Sequence, residues 1–371
     1  MSHEEKSADG APIVSESSGS TSQISSRKAD HIALCADPSE KVAFKNRGTL
    51  FDDVHFIHDS LPDLALDEID LSSDFVGKKL KAPLFISAMT GGTESAAAIN
   101  KDLARLANKL GIGFGLGSQR AMLRRPDLSW TYAVRDVAPE VVLLGNIGLV
   151  QAREMTSSQV SELAKQVGAD ALCVHLNPAQ EVVQPEGDRD FRRGLETLER
   201  LVNELRIPVV VKETGCGLSA SVARRIQEIG VEYADVSGAG GTSWVGVETL
   251  RAQGDDKALG EEFWDWGIPT AASVGMCAQQ GLKVVATGGL KNGMDVAKAV
   301  ALGARAGGMA AQVLRAHQQG GSEGAERFLL RTIAAVRTVM LLTGSRTLAE
   351  LRRGKHFIGR ELAAWMTHVP G

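Results

Sequence analysis

The stretch CVHLNPAQEVVQPEGDRD, from Cys173 to Asp190, shows the pattern on which the rest of the chain is built. It opens at the end of an apolar run, which we predict to be a buried strand over Ala171–Leu176, and then places polar side chains in a loop rich in Pro, Gly and Asp. Polar groups released at the end of a buried strand are typical of α/β enzymes, which keep their chemistry there. The stretch therefore predicts one parallel strand and one side of a functional site.

The same alternation of apolar run, polar loop and helical spacing recurs along the chain. Near-continuous apolar strands indicate a parallel sheet covered by helices, and a count of about eight favours a closed (β/α)₈ TIM barrel over an open sheet. The predicted strands are Pro83–Met89, Ile112–Gly115, Val141–Leu144, Ala171–Leu176, Pro208–Lys212, Tyr233–Ser237, Val284–Thr287 and Ala306–Ala311. The predicted helices are Glu94–Leu110, Asp127–Val137, Ser157–Val167, Phe191–Leu205, Ser219–Ile229, Pro269–Gln280, Met294–Leu302 and Ala325–Leu342.

Two segments lie outside this alternation. Residues 1–25 contain too few apolar side chains to offset the entropy of ordering, so we expect a disordered tail. Residues 26–371 are then a single barrel domain, which begins with an irregular lead-in up to Lys81. Residues 243–268, rich in Trp, are predicted to be an irregular insertion.

Composition limits the classes of function. A net charge of −4 gives no support for a nucleic-acid partner. Four widely spaced cysteines argue against a zinc site or a disulfide framework, and they fit a reducing cytosol. The chain has no apolar run of membrane-spanning length and no signal-peptide core near its start, so we expect a cytoplasmic protein without a membrane partner.

Glycines after the last two predicted strands indicate a phosphate site. The sequence Gly-Gly-Leu-Lys-Asn-Gly occupies 288–293, and Gly-Met-Ala-Ala occupies 308–311. In barrels such turns present backbone N–H groups and the start of a short helix to an anion. We expect a phosphorylated substrate or FMN here; a pair of tight turns is the plain alternative.

Several polar residues follow other strands. Lys212 ends a Val-Val-Val run, and because burying an unpaired ammonium is costly, it needs an anion or an electron-rich ring. Asn146 and Ser118 could donate to a carbonyl of a cofactor. Thr90 and Thr242, beside glycines, suit hydrogen bonds to a ring or a phosphate, or merely stabilise turns.

The opening stretch carries the predicted metal ligand. Gln180 and Glu181 are adjacent, so one can face substrate while the other binds a metal. Mg²⁺ takes one or two carboxylates together with water and phosphate oxygens, and Glu181 is the predicted ligand. His175 and Asn177 are two apart on the strand and share a face. A structural polar cluster at the barrel mouth is the alternative.

Seven motifs, in order along the chain, together resemble the type 2 isopentenyl diphosphate isomerases. They are Arg27-Lys28-x-x-His31, the Ser-Ala-Met-Thr-Gly-Gly of 87–92, the Gly-Leu-Gly-Ser-Gln-Arg of 115–120, the His-Leu-Asn-Pro-Ala-Gln-Glu of 175–181, the Gln-Pro-Glu-Gly-Asp of 184–188, the Lys-Glu-Thr-Gly of 212–215 and the Ala-Gly-Gly-Thr-Ser-Trp of 239–244. The resemblance implies an FMN- and Mg²⁺-dependent barrel that interconverts isopentenyl and dimethylallyl diphosphate, with NADPH as reductant and a homo-tetramer or homo-octamer as the assembly.

The resemblance also implies a role for individual residues. FMN would be contacted by Ala88, Met89, Thr90, Ser118, Asn146, Lys212 and Thr242, and its phosphate by Gly289, Leu290, Lys291, Ala310 and Ala311. The substrate would be surrounded by Arg27, Lys28, Ser118, Gln119, Arg120, His175, Asn177 and Gln180, with Mg²⁺ on Glu181. Many relatives have Arg in place of Lys291, so a bidentate phosphate contact would become a point charge.

The expected chemistry is a 1,3-shift of a proton. An unactivated alkene is a poor base, and none of these side chains is an obvious strong acid. We therefore expect the reduced flavin to transfer the proton at N5, Gln180 to orient substrate or relay a proton, and Lys212 to stabilise the anionic flavin near N1.

Other classes of function are compared with the isomerase. An FMN barrel that oxidises 2-hydroxy acids would need His-Gly-x-Arg after the sixth strand, where this chain has Ser-Gly-Ala-Gly-Gly-Thr, and a barrel like IMP dehydrogenase would need a nucleophilic Cys there. A flavin-binding protein without turnover stays open.

Overall fold

The core of the protein is a closed barrel of eight parallel strands, in a computed structural model that describes residues 31, 33–35, 37 and 39–367. The strands are β1 (Val54–Phe56), β2 (Ser73–Phe75), β3 (Lys78–Leu80), β4 (Leu84–Ile86), β5 (Gly113–Gly115), β6 (Val142–Gly148), β7 (Ala171–Leu176), β8 (Val209–Glu213), β9 (Tyr233–Asp235), β10 (Lys283–Ala286), β11 (Ala306–Met309) and β12 (His356–Ile358). Strands β4 to β11 follow one another around the barrel, and β11 closes on β4. The predicted TIM barrel is confirmed.

Helices follow the barrel strands and cover them. They are α1 (Glu94–Leu110), α2 (Arg120–Arg124), α3 (Leu149–Arg153), α4 (Ser157–Gln166), α5 (Pro178–Val183), α6 (Gly194–Glu204), α7 (Ala220–Glu228), α8 (Trp244–Arg251), α9 (Gly254–Glu262), α10 (Thr270–Gln279), α11 (Gly293–Ala301), α12 (Ala311–Leu342), α13 (Leu348–Leu351) and α14 (Arg360–Thr367). The hydroxyl groups of Thr156 and Ser219 accept hydrogen bonds from the first turns of α4 and α7, as predicted for caps. None of the helices within the described part of the chain has the length and apolarity needed to cross a membrane.

The two-residue period of the strands decides which side chains enter the barrel. On β8, Val209 and Val211 pack in the outer core with the helices, whereas Val210 packs in the inner core. Lys212 continues the inner series at the carboxyl end of the strand. The alternation therefore brings an ammonium group into the barrel mouth.

A hairpin of β2 and β3 closes the opposite end of the barrel. Phe75, which is 1% exposed, lies edge-on to Phe85 at 5.3 Å and to Tyr233 at 5.1 Å between ring centroids. These aromatic contacts are favourable in an apolar setting. The lead-in thus contains regular structure that the sequence analysis treated as irregular.

Three other predicted elements were wrong. Instead of a helix over 127–137, a short 3₁₀ helix spans Pro126–Thr131, because the carbonyl of Thr131 is taken by the Asn100 side chain at 3.1 Å. The segment 243–268 holds α8 and α9, and Ser243 caps α8. Helix α12 begins at Ala311 rather than at residue 325, and non-helical backbone at residues 320–321, both Gly, separates its two helical parts. The proposed tail over residues 1–25 lies outside the described residues.

Candidate active site

A cavity of about 660 Å³ lies at the carboxyl ends of the barrel strands. Its wall is built from the loops that follow these strands and from part of the lead-in. Most predicted site residues line it: Ala88, Met89, Thr90, Ser118, Arg120, Asn146, His175, Asn177, Gln180, Glu181, Lys212, Thr242, Gly289, Leu290, Lys291, Ala310 and Ala311. The sequence motifs therefore converge in space.

The charged lining is mostly cationic. Among the described residues of the wall, six are Lys or Arg and two are Glu. The cations are Lys45, Arg47, Arg120, Lys212, Lys291 and Arg315, and the carboxylates are Glu40 and Glu181. A cavity lined mainly by one sign of charge attracts the opposite sign, so the site favours anionic ligands.

Glycines form a narrow cradle at one end of the cavity. Gly289 has φ +80°, and a Cβ on Gly241 would lie 2.4 Å from the Gly289 nitrogen. No side chain fits between the two loops at this point, so their backbones approach each other closely where both line the cavity. The Asn292 side chain caps the following helix, α11, by accepting from Asp295 N at 3.1 Å. Exposed backbone beside a helix start is the arrangement that binds phosphate.

Ser87 has an unsatisfied hydroxyl in the same wall. Its Oγ is buried and has no hydrogen-bond partner among the described residues. Buried hydroxyl groups are rarely left unpaired, so a ligand atom is expected to bind it.

His175 is held by Asn146 at the end of β7. Its Nδ1 lies 2.9 Å from Asn146 Oδ1, and Asn146 Nδ2 donates to the carbonyl of Leu116 at 3.0 Å. Because Asn146 presents its oxygen, His175 Nδ1 is the donor and Nε2 is free to accept. Burial, followed by the charges of Lys212 and Arg120, lowers the pKa of His175 to about 4. The ring is therefore neutral near neutral pH until an anion approaches.

Helix α5 carries the predicted glutamine and carboxylate. Glu181 is 7% exposed; its Oε1 accepts from Asn177 Nδ2 at 2.9 Å and its Oε2 from Asp188 N at 2.9 Å. Within the described chain no cluster of three or more His, Cys, Asp or Glu side chains could hold a metal. Glu181 by itself fits an ion such as Mg²⁺, which keeps its waters and binds mainly through phosphate oxygens.

Glu248 is the polar residue that the sequence analysis missed. It is 0% exposed on α8, and its Oε1 lies 3.0 Å from Gln180 Nε2 and 3.1 Å from His31 Nε2. Arg251 Nη1 lies 2.7 Å from the other oxygen, Oε2. A buried, triply contacted carboxylate fixes the Gln180 amide in the cavity wall. The signal in the sequence was Ser243, which caps the start of α8. A helix that begins there contains Glu248 just after its first turn.

Glu213 fixes the neighbouring loop, next to Lys212. Its Oε2 accepts from the backbone nitrogens of Thr214, Gly215 and Cys216. Burial raises its pKa to about 7, although these three hydrogen bonds oppose the rise. The carboxyl group therefore holds in place a loop that forms part of the cavity wall.

The lead-in forms a wall of the cavity. Ala43 forms an antiparallel bridge with Thr242, and Phe44 N donates to the Gly241 carbonyl at 3.2 Å. At the edge, Asp265 accepts from Lys45 N at 2.7 Å. Part of the segment that the sequence analysis described as an irregular lead-in thus belongs to the site.

One predicted substrate residue, Gln119, is not brought into the cavity. Gln119 is 0% exposed and lies behind the wall, where its Nε2 donates to the Leu163 carbonyl at 3.0 Å and its Oε1 accepts from Asn146 N at 2.9 Å. The Gln119 amide connects the loop after β5 with β6, and it fixes the position of the Asn146 backbone. Two other predicted substrate residues, Arg27 and Lys28, lie outside the described residues.

Solved structures share the fold of this chain, and a separate set of relatives shares its sequence. The model of the family described as FMN-dependent dehydrogenase matches residues 175–357. Solved structures of a flavocytochrome b2 double mutant with pyruvate bound (TM-score 0.65, 20% identity, 93% of this chain and 85% of that chain) and of a mandelate oxidase variant (TM-score 0.62, 19% identity, 90% and 96%) share the fold. These matches define the class of fold, which is a barrel like that of the FMN-dependent dehydrogenases.

Curated relatives narrow this class. Proteins named isopentenyl-diphosphate delta-isomerase are 44% identical in Thermococcus kodakarensis (88% of this chain, 89% of the relative), 43% in Methanothermobacter thermautotrophicus (92% and 96%) and 44% in a Synechococcus species (92% and 97%). The chain belongs to the isopentenyl-diphosphate delta-isomerase family, as its motifs predict.

Proposed function

We propose that the protein interconverts isopentenyl and dimethylallyl diphosphate, with reduced FMN and Mg²⁺, in isoprenoid biosynthesis. The observation that carries the proposal is that one cationic cavity contains both a glycine cradle and a polar wall with Gln180 and Glu181. The isomerase activity for which the relatives are named supports the same proposal. FMN would supply an electron-rich ring that can give and take a proton when reduced.

The wall opposite α5 fits FMN. The cradle of Gly241 and Gly289 suits a phosphate, and the unpaired Ser87 hydroxyl suits a polar atom of the ligand. We assign contacts with FMN to Ala88, Met89, Thr90, Ser118, Asn146, Lys212 and Thr242, and contacts with its phosphate to Gly289, Leu290, Lys291, Ala310 and Ala311. Lys212 would place its positive charge against the ring.

The other wall is assigned to the diphosphate. Arg120 and His175 would contact its oxygens, together with Arg27, Lys28, Ser118 and Asn177. Glu181 would hold Mg²⁺ through one carboxylate oxygen, since both its oxygens already accept hydrogen bonds that fix their direction. An anion beside His175 would raise the pKa of its ring and so allow Nε2 to donate.

Gln180 is the proposed catalytic residue. Its Nε2 is committed to Glu248, which leaves its Oε1 with only a 3.4 Å contact to Asn177 Nδ2. That oxygen can therefore accept a hydrogen bond in the cavity and orient the substrate or relay a proton. NADPH as reductant, a homo-tetramer or homo-octamer as the assembly and a cytoplasmic location complete the proposal.

The test starts with the visible spectrum of the purified protein, where bound oxidised FMN would be seen directly. The protein is then incubated anaerobically with isopentenyl diphosphate, FMN, Mg²⁺ and NADPH. We expect dimethylallyl diphosphate to form. Bound and reduced FMN without this product would refute the isomerase proposal.

A matched pair of variants separates the two walls. Glu181→Gln is expected to weaken the dependence on Mg²⁺ and lower turnover while FMN stays bound. Lys212→Ala is expected to weaken FMN retention. Loss of FMN from Glu181→Gln would mean that the metal site is misplaced.

The shared fold with mandelate oxidase raises oxidation of a 2-hydroxy acid as the second candidate. In such an oxidase, the loop after β9 provides a base and a cation that binds the carboxylate of the substrate. Here the polar residues Ser237 and Thr242 of that loop line the cavity instead. Reduction of bound oxidised FMN by mandelate or lactate, under anaerobic conditions and without NADPH, would favour the oxidase.

A further inference from the structure

Lys212 and Asp235 form an ion pair at the inner end of the cavity. Lys212 Nζ lies 2.8 Å from Asp235 Oδ2, and the two side chains are 9% and 7% exposed. The parallel ladder between β8 and β9 places them side by side. The Thr287 hydroxyl donates to Asp235 Oδ1, so both carboxylate oxygens are held.

The two residues of the ion pair differ in their access to the cavity. Lys212 lines the cavity, whereas Asp235 does not. An ammonium group has three donors, and Asp235 takes one of them, so two remain for a ligand. Asp235 thus acts on the cavity through the cation that it holds.

The side chains beside the pair on β7 are neutral. Burial is the main cause that raises the pKa of Cys173 to about 12 and the main cause that lowers the pKa of His175 to about 4. At neutral pH, therefore, these two β7 side chains add little charge beside Lys212 and Asp235.

We propose that Asp235 is a positioning residue that fixes Lys212, offsets part of its positive charge and thereby sets the reduction potential of FMN bound in the cavity. This inference rests on the proposed function, because it requires FMN beside Lys212. Two-electron reduction adds negative charge to the flavin, which a cation stabilises and a carboxylate opposes. Loss of the carboxylate must make reduction easier, and loss of the cation must make it harder.

The test compares Asp235→Asn with Lys212→Met in the full chain saturated with FMN. Asn keeps the shape of Asp and an oxygen that can accept from Lys212, but it removes the charge. The midpoint potential is measured by anaerobic reduction against a reference dye. We expect Asp235→Asn to favour reduced FMN by about tenfold, which is roughly 30 mV for a two-electron couple. Lys212→Met is expected to shift the potential in the opposite direction.

Two further variants act as controls. Asp170→Asn removes a carboxylate that pairs with Lys78 and Arg135 before β7, at the far end of the barrel, and should leave the potential unchanged. Asp235→Glu keeps the charge and should restore a potential near that of the wild type. If Asp235→Asn does not fold, Asp235→Ser removes the same charge and has the same expected shift.

The outcomes are distinguishable. An unchanged or lower potential in the Asn or Ser variant with FMN bound overturns the inference, because a structural role alone predicts weaker FMN binding without a rise in potential. Failure of the wild-type protein to bind FMN refutes the proposed function instead.

Discussion

Replacing Glu248 by Gln removes a buried charge that three side chains hold in place. The carboxylate is 0% exposed and contacts Gln180, His31 and Arg251 at 3.0, 3.1 and 2.7 Å. Gln has nearly the same shape, but one end of its amide is a donor that cannot accept from any of these partners. The substitution therefore tests electrostatics more than packing.

The magnitude follows from the pKa of Glu248. Burial raises it, but the hydrogen bonds and charges of His31, Gln180 and Arg251 outweigh burial and lower it from 4.5 to about 2. One pKa unit corresponds to about 1.4 kcal/mol, so the difference of about 2.5 units contributes roughly 3 kcal/mol to the free energy of unfolding at neutral pH. Because the folded pKa lies below the unfolded one, this stabilisation is present above about pH 4.5 and is lost as the pH falls through about 2.

The assay is chemical unfolding of wild type and Glu248→Gln near neutral pH and again at about pH 3. We expect the variant to be less stable by roughly 3 kcal/mol at neutral pH, with a smaller difference in acid. Turnover should also fall, because Gln180 loses its fixed acceptor. Glu262→Gln, at an exposed position on α9, is the matched control and should leave stability nearly unchanged. Equal stability at neutral pH, or a difference that grows in acid, would refute the reasoning.

Three further outcomes are expected. Asp265→Asn should weaken FMN retention in equilibrium dialysis several-fold, because Asp265 anchors Lys45 and Asn46 in the cavity wall; unchanged retention would contradict this role of the lead-in. Glu213→Gln should flatten the pH dependence of thermal unfolding. Burial raises the folded pKa of Glu213 from 4.5 to about 7, so the wild type loses stability as the pH rises through that range. An equally steep pH dependence in the variant would contradict this role of Glu213. Added inorganic diphosphate should move the NMR titration of His175 upward from about 4, and an unmoved titration would argue against anion contact.

The barrel was predictable because its signals are local. A strand can be recognised from a short apolar run such as 208–212, and the start of a helix from a capping residue such as Thr156 or Ser219. The convergence of candidate polar side chains from several strand ends on one cavity was predictable for the same reason, since parallel strands bring their carboxyl ends to one edge. This is why Lys212 and His175 could be placed before any distance was known.

The remaining contacts depend on pairs that are distant in the chain. Glu248 meets Gln180 from 68 positions away, and no periodicity predicts that contact. Gln119 has the sequence appearance of a substrate ligand, yet its amide is used up by Leu163 and Asn146 inside the wall. The predicted helix over 325–342 corresponds to the part of α12 after the non-helical residues 320–321, and the part before them, from Ala311, was missed.

The lead-in supplies backbone partners to the loop that forms the glycine cradle. After β9 ends at Asp235, the chain still bonds to the β10 side, from Val236 N to the Val285 carbonyl at 3.2 Å and from Gly238 N to the Thr287 carbonyl at 3.0 Å. Beyond that point Val42 accepts from Ser243 N at 2.7 Å, and Gly241 accepts from Phe44 N at 3.2 Å, so the lead-in supplies the partners that a neighbouring strand would otherwise give. The same loop presses Gly241 against Gly289 and so forms the cradle. A change in the lead-in should therefore act on the glycine cradle of the site while leaving the closure of the barrel intact.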